Sequence, residues 1–82
     1  MKWMVTITFK VPPTEEVLAM LPAERVRTAE LVAQGAIDNR FFAADGSQVW
    51  FVMNGSSMEE VEGLVNSLPM RRFFNITMQQ LN

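Results

Sequence analysis

The stretch Ala36–Asn54, AIDNRFFAADGSQVWFVMN, contains the hairpin signal on which the fold prediction depends. Two runs of β-prone residues, 36–44 and 47–54, flank the dipeptide Asp45-Gly46. This dipeptide favours a tight hairpin turn because glycine readily adopts the positive φ that such turns require. We therefore expect the two runs to pair as antiparallel strands.

The N-terminal segment, from Lys2 to Lys10, alternates apolar and polar side chains. Its odd positions carry the apolar residues Trp3, Val5, Ile7 and Phe9. A period of two predicts a strand with one apolar face, which leaves Thr6 and Thr8 on the other face. We expect Val11-Pro12-Pro13 to end this strand because proline has no N–H to donate to a ladder.

Helical signals follow the first strand and the hairpin. We expect a short turn from Thr14 to about Met20, then a main helix with Pro22 at its first position and Gly35 as its left-handed cap. An apolar stripe is predicted on one side of that helix, with Glu30 near its edge and Glu24 on the opposite side. The residues of this stripe are Leu21, Val26, Ala29, Val32 and Ala33.

The second half of the chain repeats this order of elements. Ser56 with Glu59, and Ser57 with Glu60, have the capping-box spacing that begins a helix, and Pro69 is expected to stop it. The run Arg72–Leu81 is predicted to form the last strand.

The predicted order of elements is βαββαβ, an α+β ferredoxin-like fold with a four-stranded antiparallel sheet and two helices on one face. The other face of the sheet would then be uncovered. We expect it to present Thr6, Thr8, Arg40, Phe42, Trp50, Asn75 and Thr77. Such a mixture of aromatic and polar side chains suits a subunit interface or a pocket lining. Because a small domain buries only about 60% of its unfolded surface, a homodimer or a higher homo-oligomer is predicted.

Composition argues against several classes of function. The 82 residues carry seven Lys and Arg against nine Asp and Glu, so no nucleic-acid partner is predicted. Histidine, cysteine and tyrosine are absent, and no Gly-rich phosphate loop or metal-ligand cluster occurs, so neither a cofactor nor a metal is predicted. With no apolar run of membrane-spanning length and no secretory pattern, we expect a soluble, cytoplasmic protein without a membrane partner.

Three stretches resemble the muconolactone isomerase family. They are Lys10-Val11-Pro12-Pro13, the helix from Glu24 to Gly35, and Ser67-Leu68-Pro69-Met70 leading into Asn75-Ile76-Thr77-Met78. The resemblance implies a single domain over residues 1–82 that forms a dimeric α/β barrel. It also implies a cofactor-independent isomerisation of a small carboxylated lactone. Asn39 lies near the position of a histidine in the family.

The isomerisation implied by the resemblance requires a base and a group that stabilises negative charge. The resemblance implies Glu24 or Glu30 as base and Arg40 as electrostatic partner. The predicted substrate-binding residues are Thr6, Thr8, Phe42, Trp50 and Asn75.

Structural roles remain open for the same residues. Arg25 and Arg27 could neutralise Glu24, and the aromatic residues could fill an interface. Arg40 could pair with Asp38 or with an acid of a partner chain. The sequence therefore leaves three hypotheses: a cofactor-independent isomerase or related lyase, a non-catalytic small-molecule-binding protein and a structural oligomerisation module.

Overall fold

A computed structural model describes residues 1–12 and 14–82 and confirms the ferredoxin-like α+β fold. Its strands are β1 (Lys2–Phe9), β2 (Ile37–Phe42), β3 (Gln48–Asn54) and β4 (Phe74–Leu81). Its helices are α1 (Glu15–Ala19), α2 (Leu21–Ala33) and α3 (Met58–Asn66), with a short 3-10 turn at Arg71–Phe73. The sheet order is β2-β3-β1-β4, and every pairing is antiparallel.

The hairpin between β2 and β3 is confirmed. Gly46 has a φ of +75°, and its N–H donates to the carbonyl of Ala43 at 2.9 Å. The carboxylate of Asp45 accepts a hydrogen bond from the N–H of Ser47 at 2.9 Å. Because the turn takes up residues 43–47, β2 ends earlier and β3 begins later than the sequence predicts.

The helix caps predicted at Thr14, Gly35 and Ser57 form, whereas the predicted pairing of Ser56 with Glu59 does not, because Ser56 bonds to Glu60. The Thr14 hydroxyl accepts from the N–H of Val17 at 3.3 Å, and Gly35 follows α2 with a φ of +80°. The Ser57 hydroxyl accepts from the N–H of Glu60 at 3.2 Å, and the Glu60 carboxylate accepts from the N–H of Ser56 at 3.0 Å. The proposed role of Pro13 in ending β1 lies outside the described residues.

Two boundaries differ slightly from the prediction. Pro22 occupies the second position of α2, since the helix begins at Leu21. The 3-10 turn delays the start of β4 to Phe74, two residues later than predicted.

Among the described residues, none of the helices is long and apolar enough to cross a membrane.

The hydrophobic core lies between the helices and one side of the sheet, which we call the helix face. From the sheet it contains Trp3, Val5, Ile7, Phe51, Met53 and Phe74, and from the helices Val17, Leu31, Val61 and Val65. The indole N–H of Trp3 donates to the carbonyl of Gly55 at 3.1 Å, so its polar atom is satisfied within the core.

The predicted apolar stripe of α2 is wrong. Val26 is 63% exposed, whereas Thr28 and Leu31 are buried and Glu24 is half-buried. The helix has apolar residues on more than one side, so the contacts with the sheet decide which side is covered. Glu24 therefore lies on the side of α2 that faces the sheet, whereas the sequence predicts it on the side that faces away.

The predicted placement of Arg40 and Phe42 on the uncovered face is also wrong. Ile37 pairs with Met53 and Asn39 pairs with Val52, so Asp38 is an extra residue in β2. This bulge shifts the alternation of the rest of the strand by one residue. Arg40 therefore lies opposite Phe51, and Phe42 opposite Val49, on the helix face.

The other predicted residues do lie on the uncovered side of the sheet, which we call the open face. In the β1 registers, Thr6 is level with Trp50 and Thr77, and Thr8 is level with Asn75. These positions alternate with the buried residues of the same strands, so they project away from the helices. Phe41 joins them in place of Phe42 and is 53% exposed.

Candidate functional site

A pocket of about 310 Å³ lies between α2, the helix face of the sheet and the segment that precedes the 3-10 turn. Its wall is mainly apolar and consists of Ile7, Phe9, Leu21, Phe42, Val49, Phe51, Met70 and Phe74. The rings of Phe9 and Phe74 meet edge to face, with their centroids 5.4 Å apart. The wall therefore suits a small, largely apolar or planar ligand.

Glu24 supplies the carboxyl group of the pocket. One of its carboxylate oxygens accepts a hydrogen bond from the N–H of Met70 at 2.9 Å, which fixes the side chain against the loop after α3. Burial raises the pKa of Glu24, and the hydrogen bond from Met70 opposes this effect only in part. Such a carboxyl group holds its proton more tightly than an exposed glutamate does, as general acids and bases commonly require.

Two arginines, Arg25 and Arg40, line the same pocket. Within the described part of the chain, neither forms an ion pair. The alternative in which Asp38 pairs with Arg40 does not occur, because Asp38 pairs with Lys2. With one carboxyl group and two guanidinium groups, the pocket favours a ligand that carries negative charge.

Thr28 is the fourth polar residue of the pocket and is buried. Its hydroxyl donates to the backbone carbonyl of Glu24, one helical turn earlier, at 2.8 Å. The hydroxyl oxygen keeps its capacity to accept a hydrogen bond.

The structure brings together three of the eight predicted site residues, namely Glu24, Arg40 and Phe42. Glu30 is exposed and lies 3.9 Å from the guanidinium of Arg27. The remaining four, Thr6, Thr8, Trp50 and Asn75, lie on the open face, across the sheet from the pocket. The predicted set thus divides between two surfaces.

Sequence reasoning did not place Arg25, Thr28 or Met70 in the site. Glu24 and Thr28 are four residues apart, flanked by Leu21 and Leu31 at helical spacing. These four residues lie on one side of a helix. Because Glu24 and Thr28 are polar, this side does not form an apolar stripe, which is the signal that predicts a buried helix side. Among the described residues there is no cluster of three side chains suited to hold a metal.

The comparisons with known proteins agree with this architecture. A model of the muconolactone delta-isomerase family matches residues 1–82. The comparison with curated proteins found no match. The chain is similar in structure to 5-chloro-2-hydroxyhydroquinone dehydrochlorinase (TftG) from Burkholderia phenoliruptrix AC1100, solved as a complex with 2,5-dihydroxybenzoquinone. The TM-score is 0.74 at 13% identity, over 100% of this chain and 94% of that one, so this likeness shows the fold alone.

Proposed function

This chain belongs to the muconolactone delta-isomerase family, and on that premise we propose that it is a cofactor-independent isomerase of a small carboxylated lactone or a related metabolite. The observation that carries the proposal is that Glu24 and Arg40 line the same mainly apolar pocket. Glu24 has a raised pKa, and Arg40 has no ionic partner within the described residues.

The pocket limits the class of ligand. A volume of about 310 Å³ is at the small end of the range for ligand sites. The aromatic wall suits an unsaturated ring, and the guanidinium groups of Arg25 and Arg40 suit a carboxylate. A compact ring compound with one acidic group meets both conditions.

The proposed reaction moves a double bond by transferring one proton. The Glu24 carboxylate removes a proton from a carbon whose acidity is raised by the conjugated carbonyl. The electron pair of that C–H bond shifts into the conjugated system to give a dienolate. Arg40 stabilises the negative charge, and Glu24 returns the proton to the far carbon of the dienolate. Protons and electrons balance without an oxidant or a reductant.

We further propose that two copies of the chain associate through their open faces, as in a dimeric α/β barrel. Trp50 and the exposed Phe41 form an apolar part of that surface, and the hydroxyl and amide groups beside them can hydrogen-bond across an interface. The pocket lies on the helix face, so association would not cover it. Sedimentation velocity at micromolar concentration tests this proposal, and a monomer would contradict it.

The test of the reaction begins with thermal-shift measurements against small lactones including muconolactone, aromatic acids and dicarboxylates. A ligand that binds only the folded state raises its stability by RT ln(1 + [L]/Kd), so a true ligand gives a Tm that rises with its concentration. Exchange of ligand protons with D₂O, followed by NMR, then reports proton abstraction directly. We expect Glu24→Gln to abolish the exchange and to retain binding, because the amide oxygen can still accept from the N–H of Met70.

The matched control is Glu62→Gln, which removes an exposed carboxylate of α3 outside the pocket. It should exchange and bind as the wild type does. Equal exchange by wild type and Glu24→Gln would contradict the proposed role of Glu24. Binding without exchange in the wild type would favour the second candidate, a non-catalytic binding protein, which the mainly apolar wall also suits. No binding by any compound would favour a structural module.

A further inference from the structure

The extra residue in β2, Asp38, decides which face of the sheet receives Arg40. Ile37 lies opposite Met53, and Asn39 lies opposite Val52, so Asp38 is a bulge residue that pairs with no residue of β3. If the bulge were removed by sliding the strand into regular pairing, Arg40 would lie opposite Trp50. Arg40 and Phe42 would then project from the open face, since side chains alternate strictly along a regular strand.

Asp38 is held by a polar cluster that spans three strands. Lys2 of β1 donates from its ammonium group to the Asp38 carboxylate. Asn54 of β3 donates to the other Asp38 oxygen at 2.7 Å and to the carbonyl of Gly35 at 3.0 Å. Lys2 also donates to the Asn54 side-chain oxygen at 3.3 Å. The hydrogen bonds from Lys2 and Asn54 lower the pKa of Asp38, so the cluster keeps an ionised carboxylate.

We propose that Lys2, Asp38 and Asn54 form a positioning cluster that pins the β2 bulge and thereby directs Arg40 into the pocket. None of these three residues lines the pocket, so they would act through the alternation of side chains along β2. The inference rests on the proposed function only in treating the pocket as the ligand site. The side chains of Lys2 and Asp38 are 53% and 30% exposed, so water screens their attraction. The cluster should therefore favour the bulged pairing over the regular pairing only modestly.

A ligand-free experiment tests the structural part. NMR of wild type should show cross-strand contacts between Phe41 and Trp50, which are opposite each other. In Asp38→Ala we expect contacts between Arg40 and Trp50 to appear, as regular pairing requires. The matched control Glu62→Ala, an exposed acid on α3, should keep the wild-type contacts. Retention of the wild-type contacts alone in Asp38→Ala would overturn the inference.

A binding experiment tests the consequence for the pocket. Its readout is the ratio of the affinities for muconolactone and for its neutral methyl ester, which a general loss of stability would not change. We expect Asp38→Ala to reduce the preference for the acid by up to about fivefold, the largest change that the loss of an exposed ion pair allows. Deletion of Asp38 should preserve this preference, because a regular strand without residue 38 again places Arg40 opposite Phe51.

The deletion also decides the case in which Asp38→Ala does not fold. If the deletion variant keeps the preference for the acid, it supports the step by which the bulge decides the face that Arg40 occupies, and if it loses the preference while folded, the inference is overturned. The proposed function can fail separately. Changed strand pairing in Asp38→Ala, together with no preference for the acid in wild type, would support the positioning cluster and contradict the carboxylate site.

Discussion

Gly55, between β3 and α3, packs closely against a side chain of the core. A Cβ atom added at this position would lie 2.5 Å from a methyl carbon of Val61. Carbon atoms in contact normally lie about 3.5–4.0 Å apart, so Val61 would have to retreat by about 1 Å. Val61 is fully buried, and a valine in a helix has essentially one side-chain rotamer. It therefore has no easy way to move.

The expected cost of Gly55→Ala follows from two opposing terms. Overpacking a core costs about 1–3 kcal/mol. Removal of a glycine from the unfolded chain returns about 0.4–1 kcal/mol where the native backbone suits alanine. The net loss in the free energy of unfolding should be about 1–2 kcal/mol, in the upper part of the range that the two terms allow because Val61 cannot easily move. Such a loss lowers Tm by about 5–15 °C in a domain of this size.

Gly63 provides the matched control. It lies within α3, and an added Cβ would meet no atom within 4 Å. Gly63→Ala should raise the free energy of unfolding by about 0.5–1 kcal/mol, because alanine is the better helix former. Urea unfolding and calorimetry of the two variants measure both effects. A Gly55→Ala variant as stable as wild type, or Tm shifts in the same direction for both variants, would contradict this prediction.

Three further predictions concern Glu24, the core and the open face. Burial raises the folded-state pKa of Glu24, so its contribution to stability declines as pH rises from about 4.5, its ordinary value, through the folded-state pKa. The Tm of Glu24→Gln should therefore exceed that of wild type by more at pH 7 than at pH 4, and a constant difference would contradict this. Leu31→Ala should cost about 2–5 kcal/mol in urea unfolding because Leu31 is fully buried, and a loss below 1 kcal/mol would be inconsistent with its packing. Trp50→Glu should give a monomer by sedimentation without weakening ligand binding, whereas an intact dimer would exclude the open face as the interface.

Local signals in the sequence predicted most of the fold. The period of two in β1, the Asp45-Gly46 turn and the pairing of Ser57 with Glu60 each depend on residues close together in the chain. Their physical causes are side-chain alternation, a positive φ and a hydrogen bond to a helix N–H. None of them needs information about the rest of the molecule, so the structure retains them.

The site was harder to predict because its geometry depends on distant contacts. The phase of β2 is shifted by the bulge at Asp38, whose partners Lys2 and Asn54 lie 36 and 16 residues away in the chain. The side of α2 that faces the sheet is set by packing, and it buries Glu24 and Thr28 in preference to Val26. Both features combine residues from separate elements, so a periodicity measured within one element cannot reveal them.

The positions of the two tryptophans give the protein two separate optical probes. Trp3 is in the core with its indole N–H bonded to Gly55, and Trp50 is on the open face. The chain contains no tyrosine, so ultraviolet emission at long wavelength comes from these two side chains. In Trp50→Phe the remaining emission reports loss of the core, and in Trp3→Phe it reports changes at the open face. Unfolding and self-association can thus be followed in the same cuvette without an added dye.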